Sequence, residues 1–126
     1  DNLRVVLDWV ERNMNAPERL LVAGSSAGAY GAVGHYIRIR EAFPRAQAIM
    51  FGDAGQGVAT AEFGAATAAS WGYRAPRALR DGDTVSRLAS LYPDDRFAQF
   101  TAAHDRTQSA FYALMGVEDA CNAWNT

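Results

Sequence analysis

The chain has no lysine: all twelve of its cationic residues are arginine. That removes every mechanism built on a lysine amine, including Schiff bases, the phosphate grip of a P-loop and the tyrosine–lysine pair of dehydrogenases. Cysteine is almost as scarce. Cys121 has no second cysteine to pair with inside the sequence, so it reads as a small buried thiol or as the partner of a cysteine outside it. No apolar run approaches the ~20 residues that cross a bilayer, and the opening residues lack the pattern of a signal peptide. Arginine is not clustered and the net charge is −2, which leaves no electrostatic footprint for nucleic acid. The expectation is a soluble segment with neither a membrane nor a nucleic-acid partner, and nothing in it calls for a metal or a cofactor.

What is present is apolar and ordered. Hydrophobic residues make up 49% of the 126 positions and charged residues 21%, a balance that excludes disorder and fits one domain over 1–126. A domain of this length buries roughly two thirds of the surface its unfolded chain exposes. "NLRVVLDWVERNM" puts Leu3, Val6, Leu7, Val10 and Met14 at helical spacing, and "NAP" ends that helix. "RLLVAG" is a short apolar run typical of a strand buried on both faces; a helical pattern follows from Ala27 to Phe43 and stops at Pro44. "AQAIMFGD" predicts a second strand. The Ala- and Gly-rich stretch from Gly55 to about Asp81 has no periodicity that assigns an element. "DTVSRLASLY" carries Val85, Leu88, Leu91 and Tyr92 toward one face, "RFAQFTA" predicts a third strand, and "TQSAFYALM" predicts a last helix. Strands alternating with helices predict an α/β fold, a parallel sheet with helices on both faces. There are no internal repeats and no low-complexity linker.

The chemistry concentrates in "LLVAGSSAGAYG", Leu20–Gly31. In the pattern Gly-x-Ser-x-Gly a strand turns abruptly into a helix with a nucleophilic serine at the tip. Ser26 satisfies it, with Gly24 two before and Gly28 two after; Ser25 has Ala23 and Ala27 there instead. Gly28, Gly31 and Gly34 each cost about 1 kcal/mol in a helix interior, which predicts close approach of that helix to the sheet. The Ala27 N–H would then stabilise an oxyanion. Two other readings of the stretch stay open. One is a Gly-rich turn that serves packing alone. The other is a dinucleotide site, since the glycines run G-x-x-x-G-x-x-G and Asp53 ends the next strand, although a full helix precedes the first strand and no lysine completes a dehydrogenase site.

A serine nucleophile needs an acid and a base. In α/β-hydrolases the chain order is serine, acid, histidine. Asp105 in "TAAHDRTQ" follows the third strand, on the side where loops share a crevice with the elbow, and is the first candidate acid; Asp53 is the second. Asp105 with Gln108 also resembles a capping box, a purely structural role. Neither histidine fits the base. His35 lies nine residues along the helix from Ser26, roughly 13 Å at 1.5 Å per residue, and His104 adjoins the acid itself. Phe63, Trp71 and Tyr73 are candidates for an acyl or sugar pocket or for ordinary packing. Arg38 and Arg40 read as the wet side of a helix and "RALRDGD" as a solvated turn.

Taken together, "VLDWVERN", "GSSAGAYGAVGHY", "IREAFPRA", "GDAGQG", "YPDDRFAQFT" and "DRTQSAFY" resemble a bacterial member of the pectin acetylesterase and Notum family of serine carboxylesterases, over nearly the whole chain. The resemblance implies a partial α/β-hydrolase-type fold, the central to C-terminal part of a longer domain. It implies Ser26 as nucleophile, Asp105 as triad acid with Gln108 in its D-x-x-Q motif, and Ala27 as one oxyanion amide. The family's glycine-rich oxyanion loop would precede these residues and its histidine would follow the acid. A small-molecule or carbohydrate ester is the implied substrate, with a secreted or periplasmic location. Gln56 and Gly57 stand where eukaryotic members have aromatics, so acyl and polysaccharide preferences do not carry over. A dinucleotide-binding domain and a catalytically inactive hydrolase-like module are the alternatives.

Overall fold

A computed structural model describes residues 2–55, 60–72 and 84–120. They form α1 (Asn2–Asn13), β1 (Arg19–Ser25), α2 (Ala27–Ala42), β2 (Gln47–Asp53), α3 (Ala61–Trp71), α4 (Thr84–Leu91), β3 (Arg96–Phe100) and α5 (Arg106–Leu114). Gln56, Gly57, Tyr73, Cys121 and the "RALRDGD" turn lie outside the described residues. None of the described helices is long and apolar enough to cross a membrane.

The three strands form one parallel sheet in the order β1-β2-β3, with Leu21 beside Ile49 and Phe51 beside Ala98. Because side chains alternate along a strand, Leu20, Val22, Ala48, Met50 and Phe97 fall on one face and receive α2 and α4. The expectation of helices on both faces is corrected here. Among the described residues the opposite face is bare: Leu21 is 67% exposed and Phe100 62%, with Ile49 and Phe51 also open. The cause is topological. Right-handed crossovers that step across a sheet always in the same direction put their helices on the same side, and the order 1-2-3 never reverses.

The stretch without assignable periodicity contains α3. Thr60 Oγ1 caps its start by accepting from the Phe63 N–H at 3.2 Å, and Gly72 ends it at φ 63°. The helix buries none of its residues and packs on no other described element, so its sequence carries no apolar stripe. On α4, Leu88 is fully buried with Val85 and Tyr92 beside it, whereas Leu91 lies off that stripe and is exposed.

The core closes around Tyr36 of α2, fully buried and stacked edge-on against Tyr92 and Phe97 at centroid distances of 5.8 and 5.1 Å. A buried phenol needs a polar partner, and Tyr36 donates to Asp95 Oδ2 at 2.9 Å. The same oxygen accepts from Arg40 Nε at 2.8 Å, while Arg40 Nη1 reaches the Phe43 carbonyl at 2.7 Å. Arg40 is therefore not a solvated helix residue: it is the counter-charge of a carboxylate whose side chain is 2% exposed. Burial first, then the Asp95 hydrogen bond and charge, push the Tyr36 hydroxyl well above the ordinary phenol value. A raised folded value favours the neutral phenol, so its contribution to stability is full below about pH 10 and is lost as pH rises beyond it.

Asp95→Ala strands both a buried hydroxyl and a guanidinium and should lower the unfolding free energy by about 3 kcal/mol. Tyr36→Phe, which leaves the ion pair intact, should lower it by about 1 kcal/mol. Urea denaturation measures both, and equal small losses would show that water replaces the Asp95 contacts.

Candidate active site

β1 ends at Ser25 and α2 begins at Ala27, so the chain reverses from strand to helix at one residue. Ser26 makes that turn at φ 52°, ψ −121°, a region that side-chain-bearing residues rarely occupy. Three backbone bonds hold it there. Its N–H donates to the Asp53 carbonyl at 2.7 Å, and its own carbonyl accepts from the N–H groups of Ala29 and Tyr30 at 2.9 and 3.4 Å. In this conformation the side chain does not fold back to cap α2. The Ser26 hydroxyl is exposed and makes no hydrogen bond among the described residues. Ala27 is the first residue of α2, where the amide has no partner within the helix.

The turn demands glycine at one of its two flanking positions, not both. A Cβ on Gly24 would lie 2.1 Å from the Gly28 carbonyl oxygen, because the first turn of α2 rests on the strand backbone. A Cβ on Gly28 or Gly31 would meet nothing within 4 Å, which corrects, for these two, the expectation that the helix glycines serve close approach to the sheet.

The ends of β2 and β3 complete the same edge. Ser25 donates its hydroxyl to Asp53 Oδ2 at 2.8 Å, so the two neighbouring serines differ: one is engaged, the other presented. Ala54 follows at φ 52° with its N–H on the Phe100 carbonyl at 2.8 Å. Gly55 then passes so near α2 that a Cβ there would lie 2.5 Å from the Ala29 methyl. Beyond β3, Asp105 caps α5 by accepting from the Gln108 N–H at 2.9 Å through Oδ1. The capping box is only half made, because the Gln108 side chain turns away to the Ala54 carbonyl and the Tyr30 hydroxyl.

Ser26, Ala27, Asp53 and Asp105 thus all stand at the carboxyl edge of the sheet. His35 lies along α2 away from the elbow, and His104 is exposed in the turn that leads to Asp105. Phe63 and Trp71 are exposed on α3, which packs on no other described element. No group of three metal-ligating side chains gathers among the described residues. Sequence reasoning missed the burial of Gln108 and the grip of Asp53 on Ser25; the D-x-x-Q spacing was the one signal that singled out Gln108. Compared with models of protein families, with curated proteins and with solved structures, the chain finds no match.

Gly24→Ala should abolish the elbow and, with it, cooperative unfolding, since the clash is with backbone. Gly31→Ala should instead raise stability by up to about 1 kcal/mol from helix propensity. Thermal denaturation separates the two; a Gly24→Ala chain that melts like the parent would mean that α2 does not rest on β1.

Proposed function

We propose that the chain carries the nucleophile and acid of a serine carboxylesterase resembling the pectin acetylesterase and Notum family, acting on O-acyl esters, including acetyl esters of carbohydrate. One observation carries the reading: Ser26 sits in a strained turn between strand and helix with its hydroxyl presented and its neighbour's hydroxyl engaged. Strain of this kind persists only where surrounding structure holds it, and at a strand-to-helix turn it serves to lift a nucleophile off the sheet.

In the reaction, Ser26 Oγ attacks the ester carbonyl as its proton passes to a histidine. The Ala27 N–H stabilises the oxyanion, the alcohol leaves with the proton, and water releases the acid from the acyl-serine. Asp105 orients the histidine through the oxygen not used in capping. Its placement after β3, on the edge that carries the elbow, supports this role over Asp53, whose carboxylate holds Ser25. In this reading the base is a histidine from outside these 126 residues. His35 is roughly 13 Å along the helix, and His104 would require the backbone beside Asp105 to fold onto itself. The dinucleotide alternative is disfavoured by the strand order, which does not reverse among the described strands and so forms no switch-point crevice.

The 126 residues by themselves should hydrolyse p-nitrophenyl acetate no faster than their Ser26→Ala variant, because loss of the histidine costs as much as loss of the nucleophile, roughly 10⁶-fold. With a histidine-bearing segment present, turnover should appear, vanish in Ser26→Ala and fall about 10⁴-fold in Asp105→Asn. Asp53→Asn should cost much less. Turnover that survives Ser26→Ala would overturn Ser26 as the nucleophile, and no turnover with the histidine supplied would leave the inactive hydrolase-like module as the better account.

A further inference from the structure

Gln108 is a buried polar residue, 6% exposed in a helix whose other side chains are open or half open. It makes three contacts with three different segments. Its N–H donates to Asp105 Oδ1 at 2.9 Å. Its Nε2 donates to the Ala54 carbonyl at 3.3 Å, and its Oε1 accepts from the Tyr30 hydroxyl at 3.4 Å. A buried carboxamide needs both ends partnered, and a carbonyl can only accept, so the Ala54 contact fixes which way the amide faces.

Each partner leads to the elbow. Tyr30 is in the first turn of α2, and its N–H bonds the Ser26 carbonyl. Ala54 is held at positive φ between that side-chain bond and the Phe100 carbonyl, and it delivers Gly55 into its tight approach to the Ser26 carbonyl. The Gln108 N–H meanwhile holds the acid, Asp105. We propose that Gln108 is a positioning residue: it fixes Asp105 relative to Ser26 by fastening α5 at once to the elbow helix and to the turn after β2. The catalytic half of this inference rests on the esterase reading; the mechanical half does not.

The two halves are tested separately. Gln108→Met keeps volume and burial while removing both side-chain hydrogen bonds. In the 126-residue chain, amide hydrogen exchange of this variant should quicken about tenfold at Ala54 and Ser26 and stay unchanged at Met50 in the centre of β2. Unchanged rates at Ala54 and Ser26 would overturn the clamp whatever the protein catalyses. In the enzyme complete with its histidine, Gln108→Met should lower kcat for p-nitrophenyl acetate about tenfold with KM unchanged. Placed on Asp105→Asn, the same change should lower kcat no further, since a positioning residue acts only through what it positions. An additive loss would overturn the positioning role. Absence of any Ser26-dependent turnover in the parent enzyme would count against the esterase reading alone, leaving the exchange rates to decide the clamp.

Discussion

The whole carboxyl edge depends on how closely the first turn of α2 lies on β1. With the Gly28 carbonyl where a Gly24 side chain would otherwise be, the chain has one residue in which to turn from strand to helix. Ser26 takes up that turn at positive φ, and the strain is of the order of 1–3 kcal/mol. It is offset by hydrogen bonds that continue the sheet past its formal end. Ser26 N–H meets the Asp53 carbonyl and Ala54 N–H meets the Phe100 carbonyl, so each strand's exit is fastened to the next. Two strained residues, Ser26 and Ala54, are thus held by one interlocked set of backbone bonds.

The core at the other end supplies the anchor. Tyr36, Arg40 and Asp95 tie α2 to the turn before β3, so that the helix is fixed at its far end by a buried ion pair and at its near end by the elbow. A helix held at both ends cannot slide along the sheet, and the position of the Ala27 amide at its tip follows. Among the described residues, the packing that anchors α2 lies on the side of the sheet that carries α2 and α4.

Much of this was legible in the sequence where the signal is local. Apolar runs and helical spacing located the three strands and four of the helices, and Gly-x-Ser-x-Gly separated Ser26 from Ser25 because the steric demand of the elbow falls on fixed neighbours. What was illegible is long-range. Arg40 reads as solvated because its partner Asp95 lies 55 positions away. Gln108 reads as half of a capping box because Tyr30 and Ala54 lie 78 and 54 positions off. The one-sided packing follows from strand order, which alternating elements do not encode. α3 gave no signal because a helix that buries nothing needs no stripe.

The claim at the centre of this account is that Ser26, and not its neighbour, is the nucleophile, and that Ala27 receives the oxyanion. Both are tested by treating the protein, with a histidine-bearing segment present, with diisopropyl fluorophosphate and solving the structure of the adduct. The account predicts phosphorus on Ser26 Oγ and a phosphoryl oxygen about 3 Å from the Ala27 nitrogen, with Ser25 still bonded to Asp53. An adduct on Ser25, or inactivation with Ser26 unmodified, would contradict it.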